Sequence, residues 1–318
     1  MSKKTGYLLG MLLTIIICMI LAYIFCCNTG AFGSSDTSTE NTTVEKPDVD
    51  AVAATPTITS MPFNLKGPDG NFAFNSNDNF NFNISNFGIL TPLSTEVGTG
   101  IEKLKAYFDT DGNENKKIDI TGYYDEGEEN PSAFSNLGLA RANAVKNYFV
   151  EQGIGSDRIN TYGELRESLV PDNDIYRGPV TYNMFTQAIE DKEAEEEQMN
   201  KVATAIKEEP LVLHFNHGEA SVSLTDKQRL KIGNMNRYLD KVSGSTITIE
   251  GHTDSSGSDT TNNRLGKERA EFAKVYFVSN GIADSKIKTI SKGEREPITS
   301  NDTEEGKSQN RRVVITIN

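Results

Sequence analysis

The chain has 318 residues, about two domains by the usual size of a folding unit, and its 36% hydrophobic and 24% charged residues exclude wholesale disorder. A formal charge of −13 gives no overall field that would draw nucleic acid or anionic lipid. Three Cys confined to positions 18, 26 and 27, three His and no Trp exclude a disulfide scaffold and a Cys-based metal site or nucleophile, and leave little for His-centred catalysis.

The first element is the uncharged run Tyr7–Cys27, 21 residues long. As a helix rising about 1.5 Å per residue it would span the roughly 30 Å hydrocarbon core of a bilayer. Lys3 and Lys4 precede it, so the N-terminus is expected in the cytoplasm and the rest of the chain across the membrane. The run exceeds a signal-peptide core of about 7–15 residues. An uncleaved inner-membrane anchor is therefore the preferred reading, with a lipoprotein at Cys26 (in the outer membrane) and a cleaved signal as alternatives. The run holds no Asp or Glu to serve a proton-driven motor. Residues 28–71, rich in Thr, Ser, Asp, Asn, Pro and Gly, read as a flexible linker.

From about 72 the chain repeats itself. Arg141–Thr161 and Arg269–Thr289 are identical at ten of 21 positions, including Tyr148-Phe149-Val150 against Tyr276-Phe277-Val278. Upstream, Asp119-Ile120-Thr121-Gly122 faces Thr248-Ile249-Glu250-Gly251, and Asp125 faces Asp254. Two copies of one domain are expected, over 72–187 and 210–318. Strands and helices alternate in each, which predicts an α/β sandwich. Copy one opens on Asn71–Phe87, with seven Asn and five Phe. Phe80, Phe82 and Ile84 alternate there as in a half-buried strand, against the rival reading of an aggregation-prone tract. Residues 188–209 form an acidic connecting helix with Met199, Val202 and Ile206 on one face.

In copy two, Leu211–Phe215 is a predicted strand, followed by a helix capped near Thr225 or Asp226 with Ile232, Met235, Leu239 and Val242 as its apolar stripe. Thr246–Glu250 alternates as a strand, 262–280 forms a helix ended by Gly281, and Lys286–Ser291 and Arg312–Ile317 complete the sheet. His214 and His217 stand at an odd spacing that points strand residues to opposite faces, so they do not read as a metal pair.

Copy two also carries Gly251-His252-Thr253-Asp254, then Ser256-Gly257, Asn262, Leu265, Arg269-Ala270, Gly306 and Asn310-Arg311-Arg312. In these residues it resembles the OmpA-like peptidoglycan-binding domain, whose motifs fall in this order and at this spacing. The whole chain thus resembles a single transmembrane helix and linker followed by two OmpA-like α/β sandwich domains, the first degenerate. The physical reading agrees. Asp254 after a strand and Arg269 on the next helix can converge across a β–α turn, one to take an ammonium and the other to clamp a carboxylate. The resemblance implies that Asp254 and Arg269 grip the zwitterion of diaminopimelate in Gram-negative peptidoglycan. It also places Asn262, Ser256, Gly257, Arg311 and Thr253 around the same pocket. Asn216 and Lys307 depart from the family pattern at its periphery. His252 is expected to be a locally hydrogen-bonded turn residue, and Arg312 a structural or exposed strand residue rather than a contact.

In copy one, Gly122-Tyr123-Tyr124-Asp125 replaces that motif and Phe134 takes the slot of Asn262. Asp125 and Arg141 persist as a candidate weak second site. A degenerate spacer or protein-interaction domain is the preferred reading. Residues 210–318 carry 16 Lys+Arg against 14 Asp+Glu, leaving 16 against 31 for the remainder. The expected function is a periplasmic, membrane-anchored wall-binding protein, with no catalytic residue, cofactor, metal or nucleic-acid partner. The alternative is an assembly protein whose first domain recruits a protein partner while the wall contact only localises it.

Overall fold

The computed structural model describes residues 57–167, 169–214 and 223–318, which fall in one compact unit. The run Tyr7–Cys27 lies outside the described residues. Among those described, no helix is long and apolar enough to cross a membrane.

The second lobe follows the predicted order closely. It comprises β8 (Leu211–His214), α4 (Asp226–Lys241), β9 (Ile247–His252), α5 (Asp259–Ser279), β10 (Ile287–Gly293), α6 (Glu304–Asn310) and β11 (Arg312–Ile317). Thr225 caps α4 in a reciprocal box with Gln228, and Gly281 (φ 89°) lets the chain leave α5 in the left-handed region. The sheet runs β10-β9-β11-β8, with β10 parallel to β9 and β11 antiparallel to both its neighbours. Ile247 and Ile249 of β9 and Val313, Ile315 and Ile317 of β11 turn inward. They meet Ile232, Met235 and Leu239 of α4 and Ala270, Ala273 and Phe277 of α5. The alternation seen in sequence is thus the pleat of a sheet covered by helices on one face.

The first lobe contains β1 (Phe63–Lys66), β2 (Ala73–Ser76), β3 (Phe82–Asn83), α1 (Thr95–Phe108), β4 (Lys116–Tyr124), α2 (Leu137–Glu151), β5 (Ile159–Leu165), β6 (Ile175–Tyr176) and β7 (Val180–Thr186). Its sheet, β5-β4-β7, repeats the relations of β10-β9-β11: β5 is parallel and β7 antiparallel to β4. The start of this lobe differs from expectation. Phe63 and Leu65 are buried, and β1 pairs with β2 and packs beside β7. Strand β1 thus lies inside the stretch 28–71 read as linker, where two alternating apolar residues outweigh polar surroundings. The Asn/Phe stretch carries two short strands, Ala73–Ser76 and Phe82–Asn83, in place of one strand alternating through Phe80, Phe82 and Ile84. Phe80 and Phe82 enter the core but Ile84 stays exposed.

Both lobes share one close packing device. A Cβ on Gly251 of β9 would lie 1.8 Å from the Gly266 carbonyl oxygen of α5, and one on Gly122 of β4 would lie 2.1 Å from that of Gly138 in α2. Only glycine admits such an approach of strand to helix.

The lobes join through buried polar contacts. Asn280 Oδ1 accepts from Ala133 N (2.7 Å), Asn143 Oδ1 accepts from Asn236 Nδ2 (2.8 Å), and Lys146 pairs with Asp240. The connecting helix α3 (Ile189–Glu208) buries Met199 and Ile206 and packs on α4 and β11.

Candidate ligand-binding site

The ends of β9 and β11, the first half of α5 and the short helix α6 surround a cavity of about 260 Å³. Thr253, Asp254, Ser256, Asn262, Leu265, Arg269 and Arg311 line it, together with Glu304 and Lys307. Six of the seven residues placed at the site by sequence thus border one cavity. Gly257 does not. Its φ of 117° shapes the turn into α5, whose N-cap is Ser258.

Asp254 and Arg269 do not pair with each other. Asp254 Oδ2 accepts from Arg311 Nη1 at 2.9 Å, and its Oδ1 accepts from the Ser256 backbone N–H at 2.8 Å. Burial pushes the Asp254 carboxyl upward, but these bonds outweigh it and hold the group below its ordinary range. Arg311 also reaches Glu304 Oε1 at 3.1 Å. Its predicted role as lining residue is thereby sharpened into the counterion of Asp254.

Arg269 is half-buried on α5, and its Nη1 donates to the His252 carbonyl at 2.8 Å. Among the described residues it makes no ion pair, and burial lowers its pKa. Its remaining donors are available to the cavity. Three further polar atoms at this site are buried without a partner among the described residues: Thr253 Oγ1, Asn262 Oδ1 and Arg311 Nε. Buried polar atoms are normally paired, so such a cluster suits a polar ligand. The lining carries Arg269, Arg311 and Lys307 against Asp254 and Glu304, which leaves room for one more negative charge.

The terminal Asn-Arg-Arg motif divides its work. Asn310 is fully buried and accepts from Ile298 N at 2.9 Å while donating to the Thr299 carbonyl at 3.0 Å, which folds the preceding loop. Arg311 serves the cavity, and Arg312 Nη2 donates to the Glu296 carbonyl at 3.0 Å. Glu304 was missed by sequence, because its approach depends on how α6 packs. His252 departs from expectation: it ends β9, is buried, and neither ring nitrogen has a hydrogen-bond partner among the described residues.

The candidate second site is closed. Arg141 Nη1 donates to the Tyr123 carbonyl at 2.8 Å, as Arg269 does to that of His252. The rest of its guanidinium is taken by the chain itself. Nη1 and Nη2 clamp both oxygens of Glu128 at 2.9 and 2.5 Å, and further bonds reach the carbonyls of Asn86 and Asn83. Phe82 and Tyr176 cover the guanidinium, leaving Arg141 fully buried. Asp125 is not brought to it; its Oδ1 accepts from the Gly127 N–H at 3.0 Å instead. Glu128 thus takes guanidinium donors of the kind that Arg269 leaves unspent.

The OmpA family model matches residues 90–175 and 214–311 of this chain. The chain is 40% identical over 87 residues to the peptidoglycan-binding protein ArfA of Mycobacterium bovis, covering 26% of this chain and 27% of the relative. It is 36% identical over 92 residues to the peptidoglycan-associated lipoprotein of Buchnera aphidicola, covering 29% of this chain and 53% of the relative. It therefore spans between about a quarter and a half of the length of these curated relatives. Among solved structures, the peptidoglycan-associated lipoprotein from Burkholderia pseudomallei aligns at 26% identity with a TM-score of 0.30, over 34% of this chain and 89% of that one. With the family model covering more than half of its residues, the chain belongs to the OmpA family.

Proposed function

We propose that this protein binds peptidoglycan non-covalently through the cavity of its second lobe. Arg269 clamps the carboxylate of a diaminopimelate zwitterion and Asp254 takes its ammonium. Thr253, Ser256, Asn262 and Arg311 line the same contact, and the protein acts as a binder rather than an enzyme. One observation carries the reading: Arg269 faces the cavity with donors unspent, while its counterpart Arg141 holds a carboxylate of the chain in a two-pronged bond. The names of the relatives above support the ligand class. We further read the chain as two OmpA-like units in tandem, the first extended upstream to include β1. The run Tyr7–Cys27 would be its inner-membrane anchor, with both lobes in the periplasm.

The test is sedimentation of the full chain with purified diaminopimelate-type peptidoglycan. The parent should pellet and Arg269→Ala should remain in the supernatant. Equal partition of the two would overturn the assignment. A second reading, that the first lobe recruits a protein partner, is favoured by the self-filled Arg141 site and by the negative charge outside 210–318. Cross-linking on the full chain, compared with a chain lacking 57–187, should then yield a specific partner that the shortened chain loses.

A further inference from the structure

We propose that Glu250, His252 and Glu296 form a binding site for a divalent transition-metal ion of the zinc class. Glu250 and His252 stand two apart on β9 and so share a face of the sheet, and Glu296 comes from the loop after β10. One donor atom from each lies within 4.8 Å of the others. This grouping was invisible in sequence, because Glu296 is remote from the other two along the chain.

The second, independent observation is His252 itself. It is 1% exposed, and both ring nitrogens are buried without a partner among the described residues. An imidazole left so is costly and calls for an explanation. A neutral imidazole keeps a lone pair on one ring nitrogen, the form in which His binds a metal. One imidazole and two carboxylates form a nitrogen–oxygen set of the type that holds zinc with a position left for water.

The charged groups facing the cluster are Lys292 and Arg312. Lys292 Nζ sits 2.9 Å from Glu296 and 3.6 Å from Glu250, so the two carboxylates already converge on one cation. The Lys292 side chain is 30% exposed and can swing into solvent when a metal takes its place. Arg312 donates to the backbone carbonyls of Glu296 and Asn310 and does not occupy the carboxylates. The His252 carbonyl is the acceptor that holds Arg269. A metal on its imidazole would therefore pin the strand end that orients the cavity arginine.

Zinc titration of the full, chelator-stripped chain by calorimetry tests this without any peptidoglycan present, so its outcome is separate from that of the wall-binding assay. One saturable site is expected. Glu296→Gln and Glu250→Gln, both at partly exposed positions, should each weaken it by roughly tenfold or more. Lys292→Met should tighten it by removing the competing ammonium. Cobalt in place of zinc should give the visible absorption of a low-coordinate site, lost in His252→Ala. Absence of saturable binding below about 1 mM, or a smaller loss in Glu296→Gln, overturns the proposal.

Discussion

Replacing Glu128 by Gln tests whether the first lobe depends on its own carboxylate. The side chains of Arg141 and Glu128 are 0% and 2% exposed. The Glu128 carboxylate accepts from Arg141 twice, from Ser85 N at 2.8 Å and from Asp125 N at 3.0 Å. Gln keeps the shape but removes the charge and turns one acceptor into a donor aimed at donors. Breaking a buried pair on one side leaves the other charge uncompensated and costs about 3–5 kcal/mol. That is a large part of a total stability of roughly 5–15 kcal/mol. With a urea slope of roughly 2 kcal/mol/M, the unfolding midpoint followed by circular dichroism should fall by about 1.5–2.5 M. The double variant Glu128→Leu with Arg141→Met should recover most of the loss, since apolar replacements of similar volume are often near neutral at buried pairs. A loss below about 1 kcal/mol, the range of an exposed pair, would refute the reasoning.

Three further outcomes follow from the same geometry. Gly251→Ala should lower the melting temperature, because its Cβ would strike the Gly266 carbonyl and displace α5, at a cost of about 1–3 kcal/mol or more. Arg269→Lys, which keeps the charge but not the planar fork, should reduce peptidoglycan retention markedly in the sedimentation assay while lowering stability by no more than about 3 kcal/mol, the worth of its one charged hydrogen bond to the His252 carbonyl. The depressed Asp254 pKa stabilises the fold at pH values above the ordinary 3.8, and this contribution is lost as pH falls through the lowered folded value. The stability difference between the parent and Arg311→Met should accordingly be constant at neutral pH and shrink in acid, as read from urea unfolding across pH.

Much of the second lobe was legible because its signals are local. The Thr225 cap, the stripe Ile232, Met235 and Leu239, and the alternation in β9 and β11 each lie within one element. The family motif likewise brought together seven of the residues that line the cavity. The contacts among them were less legible. The tie between Asp254 and Arg311 was not legible, because Arg311 reaches the carboxylate only once β11 lies beside β9. Glu304 joins through the placement of α6, a seven-residue helix with too short a pattern to read. β1 was lost in a polar stretch because four residues carry little periodicity, and only pairing with β2 and packing beside β7 reveal it.

The sequence by itself determined the repeat, the α/β class and the pair of arginines at matching positions, because these depend on residue type and spacing along the chain. Only the tertiary structure decided that the two arginines differ in state. In the first lobe a loop folds Glu128 onto Arg141 and an aromatic pair seals it, while Arg269 keeps donors facing a cavity. That difference rests on which carboxylate comes within hydrogen-bonding distance, a property of packing between remote segments that no local pattern encodes.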